Sequence, residues 1–151
     1  MPYRHIIEAI DVSDEARQVL DGASLLARQH GARLSLVSVV QPLDHAYGDI
    51  EVAAPSDDLE RFEAQAEEQV RARLESLAAS YGIAAEDVHV PRGSPAQRLR
   101  ALADACHADL IVVGTHGGHG LSWIIGATAN AVLHGVHCDV LSVRIRDPGA
   151  R

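Results

Sequence analysis

The sequence predicts an α/β domain in which helices cover both faces of a parallel, doubly wound sheet. Short apolar runs alternate along the chain with longer segments whose apolar residues recur at helical spacing, as in βαβ units. The run from Arg33 to Val40 is almost continuously apolar, which is typical of a strand covered on both faces. The chain has 151 residues, enough for one core and too few for two ordinary domains. We therefore assign one domain to residues 1–147 and a polar tail to residues 148–151.

Five strands and four helices are expected in alternation. The expected strands cover residues 5–10, 33–40, 88–90, 109–113 and 140–145. The expected helices follow Ser13 as far as Gly31, run from Pro55 to Tyr81, begin at Pro95, and cover residues 124–133 before a stop at Gly135. Ser94 is expected to cap the helix that begins at Pro95. Residues 41–54 show little periodicity and predict a long connection.

The longest helix carries one apolar stripe, which predicts the face that it buries. The stripe consists of Leu59, Phe62, Ala66, Val70, Leu74, Leu77 and Tyr81. The other faces are charged and are interpreted as solvated. Glu67 and Arg71 have the spacing of a supporting ion pair worth about 0.2 to 0.5 kcal/mol.

Composition excludes several classes of function. The chain has 13 arginines, no lysine and a formal net charge of -8, so its overall field disfavours binding to nucleic acid or an anionic membrane. The absence of lysine excludes a P-loop lysine and a Schiff base. Cys106 and Cys138 lie in apolar stretches and are interpreted as reduced thiols. With no signal peptide and no apolar run of membrane-spanning length, a cytoplasmic location is expected.

The main functional signal is a glycine cluster directly after the fourth strand, at residues 114–120. If the strand order is 3-2-1-4-5, the order reverses between strands one and four, and ligands of doubly wound sheets bind at such a reversal. Asp11 and the glycine cluster follow those two strands. Backbone N–H groups of such a loop can approach a phosphate without a cationic side chain. The end of the second strand at Val39 and the turn at Gly93 are expected to complete a binding crevice.

Several segments together resemble the universal stress protein family over essentially the whole chain. They are residues 3–7 and 10–13, Gly93-Ser94-Pro95, residues 109–117, residues 126–133 and residues 138–144. The resemblance implies an adenine nucleotide alpha-hydrolase-like fold of three layers, a homodimer that pairs through the last strand, and a role in the stress response.

The resemblance also implies a set of nucleotide contacts. Asp11 and Val39 match adenosine contacts, and the phosphate and ribose region is matched by Val113, Gly114, Gly117, Gly126, Ala127 and Thr128. Members of the family that bind ATP carry the pattern Gly, two residues, Gly, nine residues, Gly, then Ser or Thr. Here eight residues separate Gly117 from Gly126, and Ala127 stands in place of the hydroxyl. Thr128, one position further, is a candidate substitute, and Mg²⁺ is expected with ATP if ATP binds.

Two functions stay open from the sequence. The first is a regulatory module that binds ATP or another adenine nucleotide, and the second is a nucleotide-free dimeric protein that acts through protein partners. No catalytic residues are assigned, because no nucleophile elbow or nucleophile and base pair is recognisable, although weak ATP hydrolysis is left open. Two His-x-x-His pairs, His116 with His119 and His134 with His137, form a minor alternative as transition-metal ligands, and no metal site is assigned.

Overall fold

The computed structural model describes residues 2–10, 15–41, 56–115 and 134–146. The strands are β1 (His5–Ala9), β2 (Arg33–Val37), β3 (Val88–His89), β4 (Leu110–Thr115) and β5 (Asp139–Arg144). The helices are α1 (Ala16–His30), α2 (Ser56–Ala79) and α3 (Pro95–Cys106), and a 3-10 turn covers Ala85–Asp87. All five strands are parallel, in the order β3-β2-β1-β4-β5. The doubly wound fold and its strand order are therefore confirmed.

Strand β1 lies in the centre of the sheet and is buried along its whole length. Ile7 pairs with Ser35 of β2 on one side and with Ile111 of β4 on the other. Right-handed crossovers place α1 and α2 on one face of the sheet and α3 on the opposite face. The apolar core contains residues of the sheet and of all three helices. It includes Ile6, Ile7, Leu20, Leu36, Leu74, Leu99, Leu110 and Ile111.

Strand boundaries differ from the expectation by up to three residues. Strand β2 ends at Val37, although the backbone N–H groups of Ser38 and Val40 still donate to the carbonyls of His89 and Pro91, at 3.0 and 2.9 Å. Strand β4 continues to Thr115, because the neighbouring β5 supplies pairing partners beyond Val113. The length of a strand depends on the strands that pair with it, and a run of apolar residues carries no information about those strands.

Two predicted signals at helix ends are confirmed. Gly31 ends α1 in the left-handed conformation, with φ 64°, and its N–H bonds back to α1 carbonyls. Pro95 begins α3, and Ser94 occupies the position before it. The Ser94 hydroxyl makes no capping hydrogen bond, so the prediction of a side-chain cap by Ser94 is wrong.

The apolar stripe of α2 is buried only toward the end of the helix. Leu74 is fully buried, whereas Phe62 is 63% exposed and Ala66 is also exposed. A 24-residue helix is about 36 Å long and the five-residue strands span about 17 Å, so α2 extends past the sheet. The expectation of one continuous inward stripe is therefore wrong for the first half of α2, and Tyr81 lies beyond the end of the helix.

Buried polar side chains link the amino-terminal halves of β1 and β2. The His5 ring lies 2.7 Å from the hydroxyl of Ser35 through Nε2 and 3.3 Å from the carbonyl of Cys106 through Nδ1. Ser35 Oγ is 3.2 Å from Asp87 Oδ1, which also accepts a hydrogen bond from Arg33 at 2.6 Å. These contacts satisfy polar atoms that would otherwise be costly to bury.

Asp109 fixes β4 beside β1. Its Oδ2 accepts hydrogen bonds from the backbone N–H groups of Arg4 and His5 at 2.6 and 2.9 Å, and these bonds lower the pKa of the Asp109 carboxyl. Within the four described segments, no helix combines the length and apolar character needed to cross a bilayer.

Two leucines on α1 provide a matched test of this packing. Leu20 is fully buried and Leu25 is 51% exposed. Leu20→Ala should lower the free energy of unfolding by about 2 to 5 kcal/mol, because it removes buried methyl groups and leaves a cavity. Leu25→Ala should change it by less than about 0.5 kcal/mol. Urea denaturation measures both, and equal losses would contradict the assignment of the buried face of α1.

Candidate functional site

The reversal of strand order places the ends of β1 and β4 side by side. Ala9 pairs with Val113, and Ile10 continues β1 toward Asp11. Val113 is almost completely buried and Gly114, also buried, pairs with Val143 of β5. Of the other expected contacts, Val39 is described, whereas Asp11, Gly117, Gly126, Ala127 and Thr128 lie outside the described residues. The structure thus places Val113 and Gly114 at the expected edge and leaves the loop that follows them untested.

The hydrogen bonds of neighbouring residues fix the direction of the Val39 backbone. On the β3 side, the N–H of Val40 donates to the Pro91 carbonyl at 2.9 Å, and the Val40 carbonyl accepts from the N–H of Gly93 at 3.0 Å. Alternate residues of a parallel strand bond to opposite neighbours. Val39 therefore directs its own N–H and C=O toward the β1 side, where the Val37 carbonyl already accepts from Ile10. This places one donor and one acceptor of the main chain beside the reversal point.

The turn at Gly93 depends on the absence of a side chain. Gly93 has φ 133°, a region that other residues rarely adopt. A Cβ atom at this position would also lie 2.9 Å from Nε of Arg98. That same Nε donates to the Arg92 carbonyl at 2.7 Å, so the Arg98 side chain closes over the turn and holds its conformation.

The side chain of Arg92 ties the same turn to α2. Its Nε donates to Glu67 at 2.5 Å, and Nη1 lies 3.9 Å from Glu63. Glu67 therefore pairs with Arg92, 25 residues away, and the predicted pairing of Glu67 with Arg71 is wrong. Because both partners are partly exposed, the pair contributes less than about 1 kcal/mol. The two carboxylates therefore offset the positive charge of the Arg92 guanidinium.

The sequence did not predict the contact between Ser35 and His5. The 2.7 Å between Ser35 Oγ and His5 Nε2 is a distance typical of a nucleophile and its general base. Ser35 is fully inaccessible, and the contact joins the first residue of β1 to the central residue of β2, away from the carboxyl ends of the strands. Asp87 contacts the serine rather than the second nitrogen of the histidine. This arrangement lacks both the access and the orienting carboxylate of a hydrolytic triad.

The described residues do not assemble a metal site. Across residues 2–10, 15–41, 56–115 and 134–146, no cluster of three or more His, Cys, Asp or Glu side chains could hold a metal ion. His134 and His137 are exposed, and the other predicted pair, His116 and His119, lies outside these segments.

Comparison with known proteins adds family membership to this geometry. The model of the universal stress protein family matches residues 2–144. The chain belongs to the universal stress protein family. One similar member, universal stress protein A homolog 1 of Coxiella burnetii, is 37% identical over 147 residues, and the match covers 97% of this chain and 100% of that protein.

Solved structures of the universal stress protein family share the fold. UspA of Lactobacillus plantarum is 25% identical with a TM-score of 0.64, and the match covers 97% of this chain and 99% of that chain. A universal stress protein solved in complex with cAMP is 24% identical with a TM-score of 0.58, and the match covers 97% of this chain and all of the other. At 24% identity, the similarity to the complex with cAMP shows a shared fold.

The Gly93 turn can be tested against a glycine whose surroundings are open. Gly93→Ala should cost about 1 to 3 kcal/mol of unfolding free energy, because alanine is strained at φ 133° and its Cβ meets Arg98. Gly22, inside α1, has nothing within 4 Å of an added Cβ, so Gly22→Ala should gain about 0.5 to 1 kcal/mol. Thermal and urea unfolding report both values. A neutral Gly93→Ala would show that the turn tolerates a side chain.

Proposed function

We propose that this protein is a regulatory module of the stress response that binds an adenine nucleotide, with ATP as the first candidate, between the carboxyl ends of β1 and β4. The observation that carries the proposal is the reversal of strand order beside Ala9 and Val113. The two segments that leave these strands contain Asp11 and the glycine cluster. A carboxylate suits ribose hydroxyls, and clustered backbone N–H groups suit phosphate oxygens.

The backbone of Val39 supplies a recognition surface for the base. Its N–H and C=O are directed toward the β1 side, and adenine presents both an acceptor and an amino donor along one edge. Its side chain is half-buried against the core, so the main chain is held in place. The similar structure solved with cAMP supports an adenine ligand for this fold.

The departure from the glycine pattern sets the expected strength of binding. Ala127 lacks the hydroxyl that would donate to a phosphate oxygen, and the loss of one such bond lowers affinity about tenfold. Thr128 is the candidate replacement donor. We expect ATP with Mg²⁺ to bind in the micromolar range and to shift the affinity of the protein for a partner, with no catalytic residues of its own.

Isothermal titration with ATP and Mg²⁺, with AMP in parallel, tests nucleotide binding. Wild type should bind ATP, and Gly117→Val should abolish binding because the added side chain blocks close approach of a phosphate. Gly22→Ala, on α1, is the control and should bind as wild type does. No heat and no thermal stabilisation at millimolar ATP would reject the proposal.

A second pair of variants reports on the altered glycine pattern. Ala127→Ser restores the hydroxyl of the family pattern and should raise ATP affinity up to about tenfold. Thr128→Ala should lower it by a similar factor if Thr128 is the replacement donor. Unchanged affinity in both variants would show that neither position contacts the phosphates.

The sheet edge at β5 favours a second candidate function, a dimer that acts through protein partners without a nucleotide. Strand β5 pairs with β4 on one side, and Leu141 is 41% exposed. An apolar edge strand is a template for pairing, and a second copy of β5 would cover it around a two-fold axis. In this candidate the glycine cluster has no ligand and pairing through β5 presents the functional surface.

Sedimentation velocity at micromolar concentration tests the dimer. Wild type should sediment with twice the chain mass, and Leu141→Arg should be monomeric because it places a charge on the paired edge. Leu25→Arg introduces the same charge at an exposed position of α1 and should stay dimeric. A monomeric wild type would remove this second candidate and leave the nucleotide proposal intact.

A further inference from the structure

Glu8 is a fully buried acid of the sheet. It is the fourth of the five residues of β1, paired with Leu36 of β2 and with Val112 of β4, and its exposure is 0%. Residues of a strand alternate between faces. Because the His5 ring contacts the last turn of α3, Glu8 is on the opposite face, which α1 covers.

Among the residues that the structure describes, neither carboxyl oxygen of Glu8 has a hydrogen-bond partner. The other buried acid of the described segments, Asp87, accepts hydrogen bonds from Arg33 and Ser35. Burial of an unpaired ionised carboxylate costs far more than burial of the neutral acid, so such a group responds by holding a proton. The surroundings of Glu8 therefore favour the protonated form by geometry alone.

The charged groups around Glu8 act in the same direction. On α1, the carboxylate of Asp21 opposes ionisation of Glu8. Asp21 accepts a hydrogen bond from Tyr81, which follows α2, and Arg17 of α1 interacts with Tyr81 rather than with Glu8. The neighbours in β2 and β4 at this level are apolar. Burial first, and Asp21 second, raise the pKa of Glu8 well above 4.5.

We propose that Glu8 is an internal proton-binding site through which acidification stabilises the native sheet. The native protein keeps a proton on Glu8 over a pH range in which the unfolded chain has lost it. The native state therefore binds more protons than the unfolded state, and stability falls as pH rises from about 4.5 toward the native pKa. This direction is opposite to that of paired carboxylates such as Asp109, whose pKa is lowered in the native protein and whose contribution is lost in acid.

The site is independent of the proposed nucleotide. Its ligand is the proton, and its effect acts through β1, which runs directly into Ile10 and Asp11. Protonated Glu8 therefore adds to the resistance of the protein to unfolding in mildly acidic solution, a contribution that fits a role in stress without requiring a second ligand.

Urea unfolding of wild type and Glu8→Gln between pH 5 and pH 8 tests the site. Glutamine has the shape of the protonated acid and does not titrate in this range. The ratio of the wild-type unfolding constant to that of Glu8→Gln should rise at least tenfold from pH 5 to pH 8, with a limit of tenfold per pH unit for one proton. Glu68→Gln, at an exposed position of α2, is the control and should follow the wild-type profile.

A direct titration keeps the test decisive if the glutamine variant does not fold. Carbon NMR of side-chain-labelled glutamate should show one carboxyl that titrates far above the others and is missing from Glu8→Leu. Parallel stability profiles of wild type and Glu8→Gln, or ordinary titration of every glutamate resonance, would overturn the proposal.

Discussion

Burial of β1 on both faces and along both edges is the constraint on which the rest of the structure depends. Because β2 pairs on one side and β4 on the other, the chain must cross back over the sheet after β3, and this crossing creates the reversal of strand order. The same central position makes each polar atom on β1 costly unless it has a partner. Within the described part of the chain, His5 has hydrogen-bond partners and the Glu8 carboxyl group has none, so hydrogen bonds compensate burial of the first residue and not of the second.

The two ends of the sheet have different physical roles. At the amino-terminal end, carboxylates accept hydrogen bonds from groups of this chain: Asp109 fixes β1 beside β4, and Asp87 joins Arg33 and Ser35. At the carboxyl-terminal end, the main chain of Val39 is directed toward the β1 side of β2. Internal hydrogen bonds thus stabilise one end of the sheet, while the other end is the edge at which we propose that a ligand binds.

The fold could be predicted because each element carries a local signal. Apolar runs gave the strands, helical periodicity gave the helices, and Gly31 and Pro95 fixed where two helices end and begin. The expected position of the candidate site followed from strand order, and Val113 and Gly114 lie at the edge that this order specifies. The loop contacts from Gly117 to Thr128 remain proposals. The periodicity of α2 was misleading about burial, because it cannot report that a helix is longer than the sheet beneath it.

The sequence by itself determined the order of elements, the doubly wound class, the family and the edge at which a ligand is expected. Tertiary structure decided the partners: Glu67 with Arg92, Arg98 over Gly93, and the direction of the Val39 backbone. It also revealed that the Glu8 carboxyl group has no hydrogen-bond partner in the described segments, where the sequence shows an acid within an apolar strand. Local sequence patterns report the conformation and the periodicity of a segment, because both depend on residues that are neighbours along the chain. Contacts between residues distant in sequence depend on how the layers pack, and no spacing in one segment records that packing.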